Sequence, residues 1–128
     1  MMNQQQSYQP LVLCVDDNEA LLSLTRRALE RTGFRVLTVN NGAAALEAFA
    51  SNPVDAVILD YEMPGMNGGQ VALEMKRIKP EIPKMLFSSH DCISCAETQA
   101  FQCYCPKPTD LYTLTAHVRE LTSYAKSA

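Results

Sequence analysis

Three aspartates, a serine and a lysine stand at or just past the ends of short apolar runs, although they are spread from position 16 to position 107. Leu11 to Val15 precedes Asp16 and Asp17, and Ala56 to Leu59 leads into Asp60. Met85 to Phe87 leads into Ser88, and Cys103 to Cys105 stands just before Lys107. Each run reads as a β-strand. In an open parallel α/β sheet, ligands bind beyond the carboxyl ends of the strands. The three carboxylates, the hydroxyl and the ammonium are therefore expected in one crevice. Hard oxygen ligands suit Mg²⁺, and an ammonium beside a hydroxyl suits phosphoryl oxygens. The chemistry this pattern predicts is that of a Mg²⁺ and phosphoryl site.

Five strands must position those groups: Leu11–Val15, Arg35–Val39, Ala56–Asp60, Lys84–Ser88 and Cys103–Cys105. Helical patterns alternate with them, which predicts a parallel sheet covered by helices on both faces. Strands buried on both sides read as continuous apolar runs, as LVLCV and AVILD do. Helix one is expected from Glu19 to Thr32, capped by Asp17 or Asn18 and closed by Gly33. Helix two is expected over Ala43 to Ala50, where Pro53 bars continuation. Helix three should start near Gly68 under an Asn67 cap and end before Pro80. A short helix four is expected over Cys92 to Ala100. Helix five follows Thr109, with Leu111, Leu114, Val118, Leu121 and Ala125 as one core-facing stripe. Gly65 and Gly68 fit the turn after Met63-Pro64, where a positive φ is expected.

The composition agrees with one domain. Its 128 residues can bury a core without disulfides or a structural metal. Hydrophobic residues make up 47% and charged residues 20%, which excludes a wholly disordered chain. A net charge of −3 argues against direct nucleic-acid binding. No apolar stretch is long enough for membrane insertion, and the polar Met1-to-Pro10 segment lacks a signal-peptide core. The expected organisation is a flexible tail at 1–9, a domain at 10–125 and a short tail at 126–128, with no room for an effector domain. A cytoplasmic location with reduced thiols is expected.

Four motifs, in order, carry a family resemblance: V-D-D-N after strand one, I-L-D-Y-E-M-P-G-M-N-G around strand three, Ser88 ending strand four, and Y-C-P-K-P after strand five. Over about Leu11 to Ala125 the chain resembles the receiver domains of two-component response regulators, which include the chemotaxis regulator. The resemblance implies a flavodoxin-like (βα)5 doubly wound sheet of strand order 2-1-3-4-5. It also implies that Asp60 accepts a phosphoryl group from a phosphohistidine on a sensor histidine kinase or histidine phosphotransfer protein. Mg²⁺ would be held by Asp17 and Asp60 directly, by Asp16 through water and by the Glu62 backbone carbonyl. Lys107 would pair with Asp60 and then with the phosphoryl oxygens, and Lys107–Pro108 is expected to be cis. Ser88 and Tyr104 would form the switch. The face of helix four, strand five and helix five would carry the output, to another protein or a second copy. A role as a phosphorelay intermediate is equally compatible.

Several residues depart from the family pattern. Ser89 follows Ser88 where Ala or Gly is usual, and Glu62 and His90 border the expected phosphoryl position. They are expected to modulate the lifetime of the phosphorylated state, or else to be solvated loop residues. Cys92, Cys95, Cys103 and Cys105 give C-x2-C followed by C-x-C, a spacing open to zinc or redox chemistry. The plainer expectation is small apolar residues filling helix four and strand five.

Other classes fit less well. A haloacid-dehalogenase-like phosphohydrolase places D-x-D on its first strand, whereas here the acids are adjacent. A flavodoxin-like FMN carrier needs a Ser/Thr/Gly-rich phosphate loop where this chain has D-D-N-E. No G-x-x-x-x-G-K-[ST] motif is present for a nucleoside triphosphatase.

Overall fold

The computed structural model describes residues 8–89 and 95–127, the side chains of 95 and 124–127 excepted. Within them the strands are β1 (Leu11–Val15), β2 (Arg35–Val39), β3 (Ala56–Leu59), β4 (Lys84–Ser88) and β5 (Cys103–Pro106). The helices are α1 (Glu19–Arg31), α2 (Gly42–Ser51), α3 (Gly68–Ile78), α4 (Cys95–Thr98) and α5 (Leu111–Ser127). The strands pair in parallel in the order β2-β1-β3-β4-β5, as the resemblance implied.

Strand alternation sorts the core into two layers. Leu11, Leu13 and Val15 of β1 join Val57 and Leu59 of β3 against Phe49, Val71 and Met75 from α2 and α3. The intervening Val12, Cys14, Ala56 and Ile58 face the other way. They pack with Met85, Phe87 and Cys105 against Leu22, Leu29, Leu114, Val118 and Leu121 from α1 and α5. This double burial is why β1 and β3 read as unbroken apolar runs. β2, at an edge, is only partly buried.

The boundaries differ from expectation where caps or packing decide them. Asn18, not Asp17, caps α1, its side chain accepting from the Leu21 N–H at 3.1 Å. Gly33 follows the end of α1 with φ of 100°. Asn41 accepts from the Ala44 N–H at 2.8 Å, which starts α2 one residue earlier, at Gly42. β3 stops at Leu59, so Asp60 lies one step past the sheet. β5 continues to Pro106, since an edge strand tolerates a residue without an N–H. Asn67 and Gln70 form a reciprocal capping box at the start of α3. The first part of the expected helix four lies outside the described residues, and α4 ends at Thr98. Leu114, Val118 and Leu121 of the α5 stripe are buried, and Leu111 is partly so. No helix among the described residues is long and apolar enough to cross a membrane.

One buried cation stands at the amino end of the sheet. Lys84 is 1% exposed, and its Nζ donates to the Ile82 carbonyl at 2.9 Å. Burial, helped by the charge of Lys76 and opposed by Glu81, pushes its ammonium down from 10.5 to about 8. Between those two values the unfolded chain holds a proton that the folded chain releases, so stability rises with pH across that interval. Lys84→Met is therefore expected to stabilise the fold at pH 7 by about 1–2 kcal/mol. It should also flatten that alkaline rise. Urea unfolding at pH 7 and pH 10 checks both; an equal or lower stability for the variant at pH 7 would refute the expectation.

Candidate functional site

The site is built where the parallel strands end. Backbone bonds at this edge extend the ladder by one residue and fix the loops. The Asp16 N–H donates to the Val39 carbonyl (3.2 Å), that of Asp60 to Val15 (2.9 Å) and that of Lys107 to Ser88 (3.1 Å). Two carboxylates and an ammonium are thus hung from the ends of β1, β3 and β5. They open into a cavity of about 580 Å³ lined by Asp16, Asp17, Asp60, Glu62, Ser89 and Lys107, among others.

Asp16 and Asp60 are buried and Asp17 is exposed. Oxygen atoms from all three lie within 4.8 Å of one another. The ammonium of Lys107 bridges two of them, 2.7 Å from Asp16 Oδ2 and 3.2 Å from Asp60 Oδ1. Asp16 thus holds the shorter contact, where Asp60 was the expected partner. The other oxygen of Asp16, Oδ1, accepts from the Asn18 N–H at 2.9 Å, steadying the loop into α1. Lys107 also lies over the Phe87 ring, 5.1 Å from its centroid, and Lys107–Pro108 is cis.

Burial raises the Asp60 carboxyl above its ordinary value. The negative charge of Asp16 adds to this, Lys107 opposes it, and Asp17 adds a smaller push. A carboxylate held under that tension has affinity for any added positive charge. The donor set suits a hard cation: carboxylate oxygens only, open to water on one side. No other group of three or more such ligands occurs among the described residues.

Of the remaining site residues named from sequence, Glu62 and Ser89 line this cavity, and the others lie elsewhere or outside the described residues. Ser88 is buried at the end of β4, while Ser89 is exposed on the cavity wall. Glu62 is exposed at the rim, and His90 lies outside the described residues. Tyr104 of β5 is 44% exposed, its hydroxyl a long 3.4 Å from the Ser88 carbonyl. Of the four cysteines, Cys103 and Cys105 project to the α5 side, where Cys103 Sγ is 3.9 Å from His117 Nδ1. Burial raises both thiols, Glu120 adding for Cys103 and Cys103 for Cys105. Cys92 and the side chain of Cys95 lie outside the described residues. Two contributors were not singled out from sequence: Phe87 beneath Lys107, and Tyr61 in the cavity wall. Both directly flank a named residue, and that adjacency was the available signal.

Comparison with known proteins agrees with this geometry. Residues 12–119 match the model of the response regulator receiver domain. Among curated proteins, the chain is 33% identical over 118 residues to the DNA-binding transcriptional regulator NtrC of Escherichia coli, covering 89% of this chain and 25% of that protein. It is 54% identical over 61 residues to the sensor histidine kinase GacS of Pseudomonas protegens, covering 48% of this chain and 7% of that protein. The chain thus spans a minor part of the length of these two relatives. Among solved structures, the response regulator TrrA of Thermotoga maritima in complex with Mg²⁺-BeF is 32% identical, with a TM-score of 0.83 over 88% of this chain and 99% of that one. A CheY-like receiver domain protein from Methanospirillum hungatei shares the fold with a TM-score of 0.89 at 20% identity, over 94% and 98% of the two chains.

Proposed function

This chain belongs to the response regulator receiver family, and on that premise we propose that Asp60 accepts a phosphoryl group from a phosphohistidine of a partner kinase. The observation that carries the reading is the buried, raised carboxylate of Asp60 among two further acids and one ammonium. An Asp60 oxygen forms a bond to phosphorus as the phosphorus–nitrogen bond of the donor breaks, and the bonding pair stays on the imidazole nitrogen, which leaves as the histidine side chain. Such transfer depends chiefly on positioning and charge neutralisation. Mg²⁺, which Asp16, Asp17, Asp60 and the Glu62 carbonyl would hold, supplies positive charge for the phosphoryl oxygens. The complex of TrrA with Mg²⁺-BeF supports that assignment by likeness.

The chain's own residues do the rest. Lys107 is poised to exchange a carboxylate oxygen for a phosphoryl oxygen, as a mobile point charge on its stem over Phe87. Ser88 supplies a hydroxyl at the end of β4, and movement there is felt by Tyr104 through its carbonyl contact. A phosphoryl group adding roughly −1.5 to −2 charges then biases the surface of α4, β5 and α5, where a partner protein or a second copy docks. Glu62, Ser89 and His90 tune how long that state lasts. The reading is of a cytoplasmic signalling module rather than a metabolic enzyme. A relay role, passing the group on to a histidine phosphotransfer protein, draws support from the 54% identity with a stretch of a sensor histidine kinase.

Intact mass after incubation with Mg²⁺ and acetyl phosphate tests the proposal. One added phosphoryl group is expected, lost in Asp60→Asn and without Mg²⁺. Incorporation that persists in Asp60→Asn, or none in a protein that demonstrably binds Mg²⁺, would overturn it.

A further inference from the structure

Tyr61 follows Asp60 and lines the acidic cavity, yet its hydroxyl reaches a different part of the molecule. It donates to Glu97 Oε1 of α4 at 3.1 Å. The main chain of Tyr61 is held as well, its carbonyl accepting from the Gly68 N–H at 2.7 Å as α3 begins. Glu97 reaches this hydroxyl only because it passes over Gly69. A Cβ on residue 69 would lie 2.4 Å from its carboxyl carbon and 2.7 Å from Oε1. A tyrosine, a glutamate and a glycine from three separate parts of the fold thus meet in one contact. They link the loop after Asp60, the start of α3, and α4.

We propose that the Tyr61–Glu97 hydrogen bond is a latch that ties α4 to the wall of the acidic site. It couples α4 to occupancy of the cavity by a route separate from Ser88 and Tyr104. Tyr104 contacts the end of β4 from the β5 side, whereas the latch grips α4 from the α3 side. Among the described residues α4 runs over Cys95–Thr98, and the Tyr61 hydroxyl reaches its Glu97 from a distant part of the chain, so this side-chain tether bears on where that segment sits. Any ligand that displaces the loop bearing Asp60 and Tyr61 strains or releases this tether. By linkage, whatever holds α4 in place favours one state of the acidic site. The latch itself stands on the contact alone; its response to occupancy rests on the phosphoacceptor reading.

Amide hydrogen exchange of segment 95–101 tests it in the full chain. Two variants break the contact by different means. Tyr61→Phe removes only the hydroxyl, and Gly69→Ala displaces the flexible Glu97 side chain. In metal-free, unphosphorylated protein, both should speed exchange of the segment about fivefold, the effect of losing one ordinary hydrogen bond. Unchanged exchange in both, with the melting temperature of Tyr61→Phe unaltered, would overturn the latch. With Mg²⁺ and beryllofluoride, the wild-type segment should change its exchange on loading, and Gly69→Ala should halve that difference or more while still binding the anion. An equal difference in the two proteins would overturn the coupling. Failure of the wild type to bind beryllofluoride would refute the phosphoacceptor reading and the response to occupancy, while the metal-free exchange still decides the latch.

Discussion

Gly68→Ala is expected to destabilise the protein by roughly 3–5 kcal/mol, more than a single surface change normally does. A Cβ at this position would stand 2.2 Å from the Asp60 carbonyl oxygen and 2.9 Å from the Tyr61 Cα. These are backbone atoms, so no rotamer change relieves the clash, and the loop carrying Asp60 must move. Gly65 provides the contrast. Its φ is 84°, but nothing lies within 4 Å of an added Cβ. Gly65→Ala should therefore cost only the left-handed backbone penalty of about 1–2 kcal/mol. Thermal unfolding should show the Gly68 variant melting on the order of 10 °C lower, with the Gly65 variant much closer to wild type. Mg²⁺ affinity and phosphoryl incorporation should fall in the first and persist in the second. If the two variants melt together, the close approach at Gly68 is not what holds Asp60 in place.

The second large effect is expected at Lys107. Its ammonium is the counter-charge for Asp16 and Asp60, whose side chains are 7% and 9% exposed. Lys107→Met would leave those carboxylates facing each other and Asp17 without it. Breaking a buried ion pair by removing one partner costs about 3–5 kcal/mol; the open side of this cavity lowers that to about 2 kcal/mol here. The loss should be greatest in chelator and largely recovered by Mg²⁺, which would replace the missing charge. The variant should also bind Mg²⁺ about tenfold more tightly than wild type, since no resident cation competes. Phosphorylation of Asp60 should survive in reduced measure, but the change it transmits to α4, β5 and α5 should be lost. Differential scanning calorimetry with and without Mg²⁺ decides the energetic part. Equal destabilisation in both conditions would mean that Lys107 acts through packing on Phe87 and not through its charge.

The legible part of this protein was the part set by local pattern. β1 and β3 announced themselves because a strand covered by helices on both faces must be apolar at every position. Asp16, Asp17, Asp60 and Lys107 could be placed together, with Ser88 at the end of a neighbouring strand, because each ends or follows such a run and parallel strands present those ends along one edge. Helix starts at Asn18 and Asn67 were visible for a similar reason, since a cap is a short-range hydrogen bond. Less visible was how far β5 and α2 extend. Pro106 on an edge and Gly42 beside Val71 and Met66 depend on neighbours distant in sequence.

The layering, the parallel order implied by the family resemblance, and the acids and ammonium that meet at the carboxyl edge are already written in the chain. These follow from periodicity and from where each apolar run stops. Tertiary packing settles how those groups share their charges and what they touch beyond the site. It set Lys107 closer to Asp16 than to Asp60, buried Lys84 at the far end of the sheet, and laid Glu97 over Gly69 against Tyr61. Each of these is a contact between elements separated along the chain. Its geometry comes from the packing of whole helices on the sheet, and no local pattern of residues specifies it.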